Sequence, residues 1–335
     1  MKQLNYPLQK PSTGCYAATI GCFDGVHRGH RFLVDTLQAE AAKRGLQSMV
    51  VTFDRPPRLL FQPDWQPQLI TMPQERSALL AATGIDLLAE LRFDREMAQL
   101  SARDFMEQVL ARDLRVRFLL MGYDNRFGRK SEETFSDYAA YGQALGIEVM
   151  AATPLTFQGQ RVCSSFVRGL LQEGRVKQAA DCLMRPYTLS GTVVKGFQLG
   201  RKMGFPTANM VPLDEERIVP ANGVYAVTVS LAAEGEAVAG SGGAAESDVV
   251  APKQRPLYGV MNIGRRPTFH GEETTLEVHI LDFTGDLYGR RITVGFIDRL
   301  RDEQPFASAE ALASQMQRDV ALAKQIFNHN TDKTE

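Results

Sequence analysis

Two histidines three positions apart stand out early in the chain. His27 and His30 lie within TIGCFDGVHRGH, residues 19–30, which we call the HxGH segment. Apolar residues before the histidines predict the end of a strand, and the amphipathic sequence after them predicts a helix. The free N–H groups and partial positive charge of a helix N-terminus suit a phosphate group. Because two imidazoles would add donors at the same end, the segment predicts a phosphate site.

A second stretch with phosphate chemistry is GTVVKGFQLGRKMGFPTAN, residues 191–209. Its glycines allow backbone N–H groups to approach a phosphate closely, and Lys195, Arg201 and Lys202 balance its charge. The spacing matches neither a Walker A loop nor a dinucleotide-binding GxGxxG. The residues alone leave two interpretations open, a phosphate-binding loop and a set of hairpin turns.

A carboxylate further on has catalytic chemistry. Glu277 lies in LEVHILDF, residues 276–283, which reads as a strand. A period of two places Glu277, His279 and Leu281 on one face and Leu276, Val278 and Ile280 on the other. A carboxylate on a strand can act as a general base, or it can be an ordinary solvated side chain, and the residues alone do not decide between these roles.

Two further segments follow predicted strands or begin predicted helices. Residues 122–130, GYDNRFGRK, come directly after an apolar strand and have glycines near both ends, which favours a ligand loop over a plain charged loop. Ser164 or Ser165 is predicted to cap a helix extending to Gly174. Both segments are therefore candidates for ligand contacts.

The first half of the chain alternates strand-like and helix-like patterns. Strands are predicted at 47–53, 86–93, 116–121 and 147–151, and helices at 73–83, 101–111 and 136–145. This alternation is typical of a doubly wound, Rossmann-like α/β domain with a parallel sheet. Ligands bind at the carboxyl ends of the strands in such a sheet, and the HxGH segment follows a strand there.

The second half has a different pattern. After a helix at 175–184, short strands with glycine turns are predicted at 189–194, 223–230, 257–263, 275–283 and 290–297. They predict a small antiparallel β-barrel closed by a C-terminal helix at 308–326. We therefore expect one domain at 1–184 and a second at 185–335. Residues 232–256, rich in Ala, Gly, Ser and acidic residues, predict a flexible insertion without chemistry.

Composition limits the function classes. A length of 335 residues favours two domains, and 38 Lys plus Arg against 39 Asp plus Glu give no general attraction to nucleic acid or membranes. The four cysteines lack CxxC spacing, which argues against zinc and dithiol redox sites. Without a signal-like or long apolar segment, the sequence predicts a cytoplasmic protein and leaves a homo-oligomer open.

The HxGH segment resembles the signature of the HxGH nucleotidyltransferase superfamily. GFPTAN at 204–209 resembles the corresponding motif of riboflavin kinases, and the segments 219–225, 262–269 and 276–283 resemble PxxGVY, NIGxRPTF and LEVHxLDF of the same enzymes. Together, over nearly the whole length, the chain resembles the bifunctional bacterial riboflavin kinase/FAD synthetases. The resemblance implies phosphorylation of riboflavin to FMN by ATP, followed by adenylylation of FMN to FAD with release of pyrophosphate.

For adenylyl transfer, the resemblance implies that His27 and His30 are catalytic. Residues 162–168, VCSSFVR, resemble the second superfamily signature (I/V)SSTx(I/V)R, with Ser165 at the threonine position and Cys163 at the first serine. The nucleotide contacts implied for this half are Gly21, Phe23, Asp24, Gly25, Asp124, Ser164, Ser165 and Arg168. The chain departs from the family at Asn125, where an aromatic residue is common, and at residues 55–57, Arg-Pro-Pro, where Pro-His-Pro is usual.

For the kinase half, the resemblance implies that Glu277 is the general base for the ribityl 5′-hydroxyl. Thr207 and Asn209 are implied ligands of the Mg²⁺ that accompanies ATP, which agrees with the preference of Mg²⁺ for oxygen. The implied nucleotide contacts here are Gly191, Lys195, Gly200, Arg201, Pro206 and Asn262. ATP, riboflavin and FMN are the expected partners, with flavin as substrate and product.

Three alternatives remain at this point. They are a riboflavin kinase with weak or lost FAD synthetase activity, a non-catalytic flavin-binding regulator, and a nucleotidyltransferase with another acceptor. The intact residues His27, His30, Thr207, Asn209 and Glu277 argue against a regulator. The GFPTAN and LEVH motifs argue against a different acceptor.

Overall fold

The computed structural model of the chain describes residues 1–8, 12–123, 125–129, 133–196, 204–232, 256–268 and 271–331. At 266–268, 271–273, 330 and 331 it describes the backbone alone. The chain forms two compact units, Met1–Ser164 and Ser165–Glu335. The functional boundary predicted at 184/185 stays a prediction.

A six-stranded sheet, parallel throughout, forms the centre of the first unit, in the order β1-β4-β3-β2-β5-β6. The strands are β1 (Lys2–Tyr6), β2 (Tyr16–Ile20), β3 (Gln47–Phe53), β4 (Leu87–Leu91), β5 (Val116–Met121) and β6 (Glu148–Ala151). From β2 the chain proceeds to β3 and β4 on one side and later to β5 on the other. The strand order therefore reverses next to β2, and ligands of doubly wound sheets bind at such a point.

Helices cover this sheet. They are α1 (Arg28–Lys43), α2 (Arg58–Phe61), α3 (Pro73–Ala81), α4 (Arg95–Gln99), α5 (Ala102–Asp104) and α6 (Phe135–Leu145). A π-helical segment, Phe105–Asp113, continues α5. Ser101 caps α5 by accepting a hydrogen bond from the Asp104 N–H at 3.1 Å. The sequence predicted one α-helix at 101–111, and the structure has this composite helix instead.

Apolar side chains are buried on both faces of the sheet, which explains why its strands read as almost continuous apolar runs. In β3, Met49 and Val51 pack into one cluster while Val50 packs into another on the opposite face. In β5, Leu119 joins the first cluster, while Phe118 packs with residues of α1. The predicted Rossmann-like fold is confirmed for this unit.

The second unit contains a closed six-stranded barrel in the order β10-β13-β12-β11-β14-β9, antiparallel at every pairing. The first unit ends with a short hairpin, β7 (Thr156–Phe157) and β8 (Gln160–Arg161), and the helices α7 (Ser164–Gln172) and α8 (Val176–Leu183) follow it. The barrel strands are β9 (Tyr187–Val194), β10 (Ala208–Pro212), β11 (Gly223–Leu231), β12 (Leu257–Thr268), β13 (Gly271–Ile280) and β14 (Arg291–Arg301). The predicted antiparallel barrel is confirmed.

A long C-terminal helix, α9 (Ala309–Thr331), packs on the barrel, as predicted. Its Asp319 is buried and accepts hydrogen bonds from the Arg301 guanidinium, with the closest contact at 2.8 Å. Phe327 stacks on Tyr258 of β12 with ring centroids 4.2 Å apart. An ion pair and an aromatic contact therefore join this helix to the strands.

The sequence did not predict β1, β10, the β7–β8 hairpin or the short helices α2 and α4. The predicted insertion at 232–256 lies outside the described residues except at its two ends. In the part of the chain that the structure describes, no helix is both long and apolar enough to cross a membrane.

Candidate active sites

The HxGH segment connects β2 to α1 at the reversal of strand order. His27 is the N-cap residue of α1, with φ −73° and ψ 175°, and its Nδ1 accepts a hydrogen bond from the His30 N–H at 3.3 Å. An imidazole thus takes the place of the usual short polar cap. The predicted strand, turn and helix N-terminus are confirmed here.

The two imidazole rings stack, with centroids 3.7 Å apart and planes 15° apart. His27 is only 3% exposed, and the ring of Phe23 lies 5.0 Å from that of His30. Burial, and to a smaller extent His27, lowers the pKa of His30 well below its ordinary value. His30 is therefore neutral near pH 7, and its buried Nδ1 has no hydrogen-bond partner among the described residues.

The backbone between β2 and α1 is strained. Phe23 and Val26 have φ values of 51° and 39°, and Gly25 between them has φ 86°. A positive φ is costly for a β-branched residue such as Val26. Gly29 is confined in another way, since a Cβ at this position would lie 2.7 Å from the Val162 carbonyl oxygen. This turn therefore depends on its neighbours to keep its shape.

Asp24 is buried and its carboxylate faces a neighbouring segment. It accepts hydrogen bonds from the N–H of Ile70 at 3.0 Å, and from the N–H and hydroxyl of Thr71 at 2.9 Å and 3.1 Å. The Thr71 hydroxyl in turn accepts from the Gly25 N–H at 2.9 Å. Asp24 and Gly25 thus hold the turn in place, and the nucleotide contacts predicted for them stay predictions.

Ser164 lies beside the histidines. Its hydroxyl donates to the Asp24 carbonyl at 2.9 Å and lies 3.4 Å from Nε2 of His27. The structure therefore brings Ser164 to the HxGH segment. Ser165 is exposed in the first turn of α7, and Arg168 is half-buried one turn further along.

Arg76, a buried residue of α3, also contacts the turn and was not identified from the sequence. Its guanidinium donates to the carbonyl oxygens of Cys22, at 3.2 Å, and Phe53, at 2.7 Å, and lies 3.6 Å from the Glu90 carboxylate. Burial lowers the pKa of Arg76, and Glu90 acts in the opposite direction. This cation joins the ends of β2 and β3, which are distant in sequence.

Other residues complete this edge of the sheet. Asn125 donates from its Nδ2 to the Ile20 carbonyl at 2.5 Å, whereas the predicted contact Asp124 lies outside the described residues.

Three phenylalanines form an aromatic cluster near the same edge. The ring of Phe93 makes edge contacts with the rings of Phe61 and Phe53, at centroid distances of 6.3 and 5.4 Å, and Phe61 is 67% exposed. This aromatic cluster lies at the ends of β3 and β4 and was also missed. Gly21 and Phe23, predicted nucleotide contacts, lie in the turn itself.

A row of polar residues crosses three barrel strands in the second unit. Glu277 of β13 is paired with Asn209 of β10 on one side and with Asn262 of β12 on the other. Directly paired residues share a face of the sheet. Since Leu276 and Val278 are buried, this face is the outer one, as the period of two predicted. We call Asn209, Glu277 and Asn262 the barrel row.

Residues 205–207 lie against the barrel row. The Thr207 hydroxyl donates to the Glu277 carboxylate at 3.5 Å. Nδ1 of His279 lies 2.8 Å from the Pro206 carbonyl oxygen, and because that oxygen only accepts, the ring N–H donates. Phe205 packs edge-on against His279 at 5.5 Å. The structure thus brings Pro206, Thr207, Asn209, Asn262 and Glu277 together.

Four further residues were predicted to contact the nucleotide in the kinase half, and the structure describes two of them. Gly191 lies in β9, where a Cβ would come within 2.5 Å of the Val211 carbonyl oxygen, so strand packing alone requires glycine. Lys195 is exposed just after this strand. Gly200 and Arg201 lie outside the described residues. The phosphate contacts predicted for these four residues stay predictions.

Comparison with protein families divides the chain between two activities. Residues 9–166 match the family described as FAD synthetase, and residues 183–327 match the family described as riboflavin kinase. The first match contains the HxGH segment and Ser164. The second contains the whole barrel row.

Curated relatives match along nearly the full length. A protein of Escherichia coli K12, named bifunctional riboflavin kinase/FMN adenylyltransferase, is 40% identical over 95% of this chain and 95% of its own. A protein of the same name from Pseudomonas fluorescens is 38% identical over 95% of this chain and 94% of its own.

One solved structure also matches along the full length. It is described as a macrolide-efflux protein from Streptococcus pneumoniae, with 29% identity and a TM-score of 0.81. The alignment covers 97% of this chain and 99% of that one. The fold described above therefore occurs in an experimental structure. On the two family matches and the full-length relatives, this chain belongs to the family of bifunctional riboflavin kinase/FMN adenylyltransferases.

Proposed function

We propose that the chain makes FAD from riboflavin in two ATP-dependent steps. The barrel domain, residues 185–335, phosphorylates riboflavin to FMN and releases ADP. The N-terminal domain, residues 1–184, joins FMN to AMP and releases pyrophosphate. The single observation that carries this proposal is the presence of two separate polar constellations, the stacked histidines and the barrel row, each inside the matching family region.

In the kinase step, a bond forms between the ribityl 5′-oxygen and the γ-phosphorus of ATP, and the bond from that phosphorus to ADP breaks. The hydroxyl proton has to leave as the oxygen attacks, and Glu277 accepts it. The Thr207 hydroxyl, at 3.5 Å, orients this carboxylate. The neighbouring amides of Asn209 and Asn262 supply further polar groups for the substrates on the same face.

Enzymes of these families generally use ATP with a divalent metal ion, and we propose Mg²⁺ for this chain. The barrel row and Thr207 fit such an ion, because the hydroxyl of Thr207, the amide of Asn209 and the carboxylate of Glu277 are oxygen donors on one face. Thr207 and Asn209 would hold it. The ion would neutralise negative charge on the phosphates.

In the adenylyl transfer, a phosphate oxygen of FMN attacks the α-phosphorus of ATP, and the bond to pyrophosphate breaks. The attacking oxygen is already ionised, so the step needs no general base. It needs donors for the growing negative charge. The N-terminus of α1 and the rings of His27 and His30 supply them, and Ser164 holds His27.

The flavin ring requires an apolar surface near this turn. Phe61 is largely exposed and packs, through Phe93, with Phe53 at the end of β3. Carboxyl ends of parallel strands meet at one edge of the sheet, so the aromatic cluster and the HxGH segment share that edge. We assign the isoalloxazine ring of FMN to this cluster, since flat aromatic systems stack favourably.

Further assignments are part of the same proposal. The nucleotide contacts are Gly21, Phe23, Asp24, Gly25, Asp124, Ser164, Ser165, Arg168, Gly191, Lys195, Gly200, Arg201, Pro206 and Asn262. The resemblance in sequence supports them. A cytoplasmic location and the absence of nucleic-acid and membrane partners rest on composition alone, and a homo-oligomer stays open.

One experiment tests the proposed function. The purified protein is incubated with riboflavin, ATP and Mg²⁺, and FMN and FAD are separated by chromatography. We expect FMN first and FAD after it. FMN without FAD would leave a kinase alone, and the absence of both products would favour a flavin-binding regulator. A second incubation that starts from FMN isolates the adenylyl transfer.

A further inference from the structure

The turn that places the catalytic histidines is strained at two residues other than glycine, Phe23 and Val26. An unfavourable backbone conformation of this kind persists only where the surrounding structure enforces it. His27, which follows Val26 directly, caps α1 and stacks on His30. Whatever enforces the turn therefore also sets the position of both imidazoles.

Thr71 makes the contacts that enforce it. This residue is 3% exposed, lies just before α3, and is more than 40 residues away from the turn in sequence. Its hydroxyl oxygen accepts from the Gly25 N–H at 2.9 Å and donates to the Asp24 carboxylate at 3.1 Å. A single hydroxyl thus uses both its donor and its acceptor capacity on two consecutive residues of the turn, between the two strained positions.

The surrounding contacts point the same way. The Asp24 carboxylate also accepts from the backbone N–H groups of Ile70 and Thr71, and Arg76 donates to the Cys22 carbonyl. Segment 70–76 therefore holds the turn at Cys22, Asp24 and Gly25. The hydroxyl of Thr71 is an acceptor for the buried Gly25 N–H, and loss of the acceptor of a buried donor is costly.

We propose that Thr71 is a positioning residue for adenylyl transfer: its hydroxyl fixes the backbone at Asp24 and Gly25 and, through it, the alignment of His27 and His30. This inference rests on the proposed function. It adds a buried residue that lies outside the HxGH segment. The barrel unit, which holds the kinase residues, provides an internal reference within the same polypeptide.

The test compares three variants. Thr71→Val keeps the shape of the side chain and removes the hydroxyl, whereas Thr71→Ser keeps the hydroxyl. Thr83→Val is the matched control, because among the described residues the Thr83 hydroxyl bonds the Leu80 carbonyl alone, just after the last turn of α3. For each protein, kcat and KM for ATP are measured in FMN-to-FAD conversion, with riboflavin phosphorylation measured in parallel. Hydrogen exchange of a peptide covering residues 21–30 is followed by mass spectrometry.

We expect Thr71→Val to lower kcat for FAD formation about tenfold or more, with unchanged riboflavin phosphorylation and faster exchange in residues 21–30. Thr71→Ser restores most of kcat, and Thr83→Val leaves all three measurements as in the wild type. A purely structural role would lower thermal stability without changing kcat at 25 °C. That result, or a Thr71→Ser variant as slow as Thr71→Val, overturns the inference.

The outcome also separates this inference from the proposed function. If the wild-type protein forms FAD and Thr71→Val does so equally well, the positioning role is wrong and the function stands. If the wild-type protein forms no FAD, the proposed adenylyl transfer is wrong. The exchange measurement then decides alone whether Thr71 fixes the turn: faster exchange in Thr71→Val supports it, and unchanged exchange refutes it.

Discussion

The two candidate sites of this chain are built in opposite ways. The HxGH segment is a buried, strained turn whose shape depends on Thr71 and Arg76 from a distant part of the sequence. The barrel row is a line of half-exposed side chains whose spacing follows directly from the pairing of β10, β13 and β12. The first site is defined by tertiary hydrogen bonds, and the second by strand register.

This difference has a consequence for mutation. In the barrel row, a side chain can be replaced without moving its neighbours, because the backbone of the sheet holds them. In the HxGH segment, small changes in packing shift the backbone that carries the histidines. Substitutions of the reacting groups should therefore have large effects at both sites, whereas substitutions of supporting residues should harm mainly adenylyl transfer.

The largest effect is expected for Glu277→Gln. This change keeps the size of the side chain and removes the carboxylate that we propose as the base, so riboflavin phosphorylation should fall by about 10²- to 10⁴-fold. FMN-to-FAD conversion by the same protein should remain at the wild-type rate. Initial rates of FMN and FAD formation, measured separately by chromatography, provide the comparison. Glu310→Gln, at an exposed position on α9, is the control and should leave both rates unchanged.

His30→Ala should have the reverse selectivity. Loss of one donor that stabilises developing charge lowers a rate by about 10²- to 10³-fold, and we expect this loss in FAD formation with riboflavin phosphorylation unchanged. The control is His329→Ala, on the exposed surface of α9. If His30→Ala or Glu277→Gln removed both activities in a folded protein, the two sites would not be independent.

The same contrast explains what the sequence predicts and what it does not. Strands 47–53 and 116–121 were predicted with the bounds that the structure has, because a short run rich in apolar and β-branched residues is a local signal. The face of Glu277 was also predictable from a period of two. β10 was missed because only two of its five residues, Met210 and Val211, are large and apolar, and because it lies at the end of a glycine-rich stretch.

The supporting residues of the HxGH segment carry no local signal. Thr71 and Arg76 contact the turn over 46 and 54 positions of sequence, and neither belongs to a motif with the histidines. For Asp24, the motif suggested a nucleotide contact, but its buried carboxylate bonds Ile70 and Thr71. The motifs therefore indicate candidate reacting groups, whereas the contacts that hold the turn are visible only in the structure.

A substitution at Gly29 tests the dependence of the HxGH segment on its packing, and its expected effect on the rate is intermediate. In Gly29→Ala, the new Cβ would lie 2.7 Å from the Val162 carbonyl oxygen, so the start of α1 has to shift. Because displacements of about 1 Å cost about 10²-fold in rate, we expect FAD formation to fall about ten- to a hundredfold. Gly169→Ala in α7 is the matched control, since nothing lies within 4 Å of its Cβ. It should keep activity and gain about 0.5–1 kcal/mol of stability in thermal unfolding.

The smallest effect is expected at Asn125, where this chain departs from its family. Its amide donates to the Ile20 carbonyl, the last residue of β2 before the HxGH segment, at 2.5 Å. Asn125→Ala removes one partly buried hydrogen bond, worth about 1 kcal/mol, so FAD formation should slow about fivefold. Asn125→Asp keeps the shape of the side chain but removes the donor, because a carboxylate cannot donate to that carbonyl. This variant should form FAD at least as slowly as Asn125→Ala. Wild-type rates in both variants would show that the sheet alone holds the end of β2. The HxGH segment would then depend on distant side chains of segment 70–76 only.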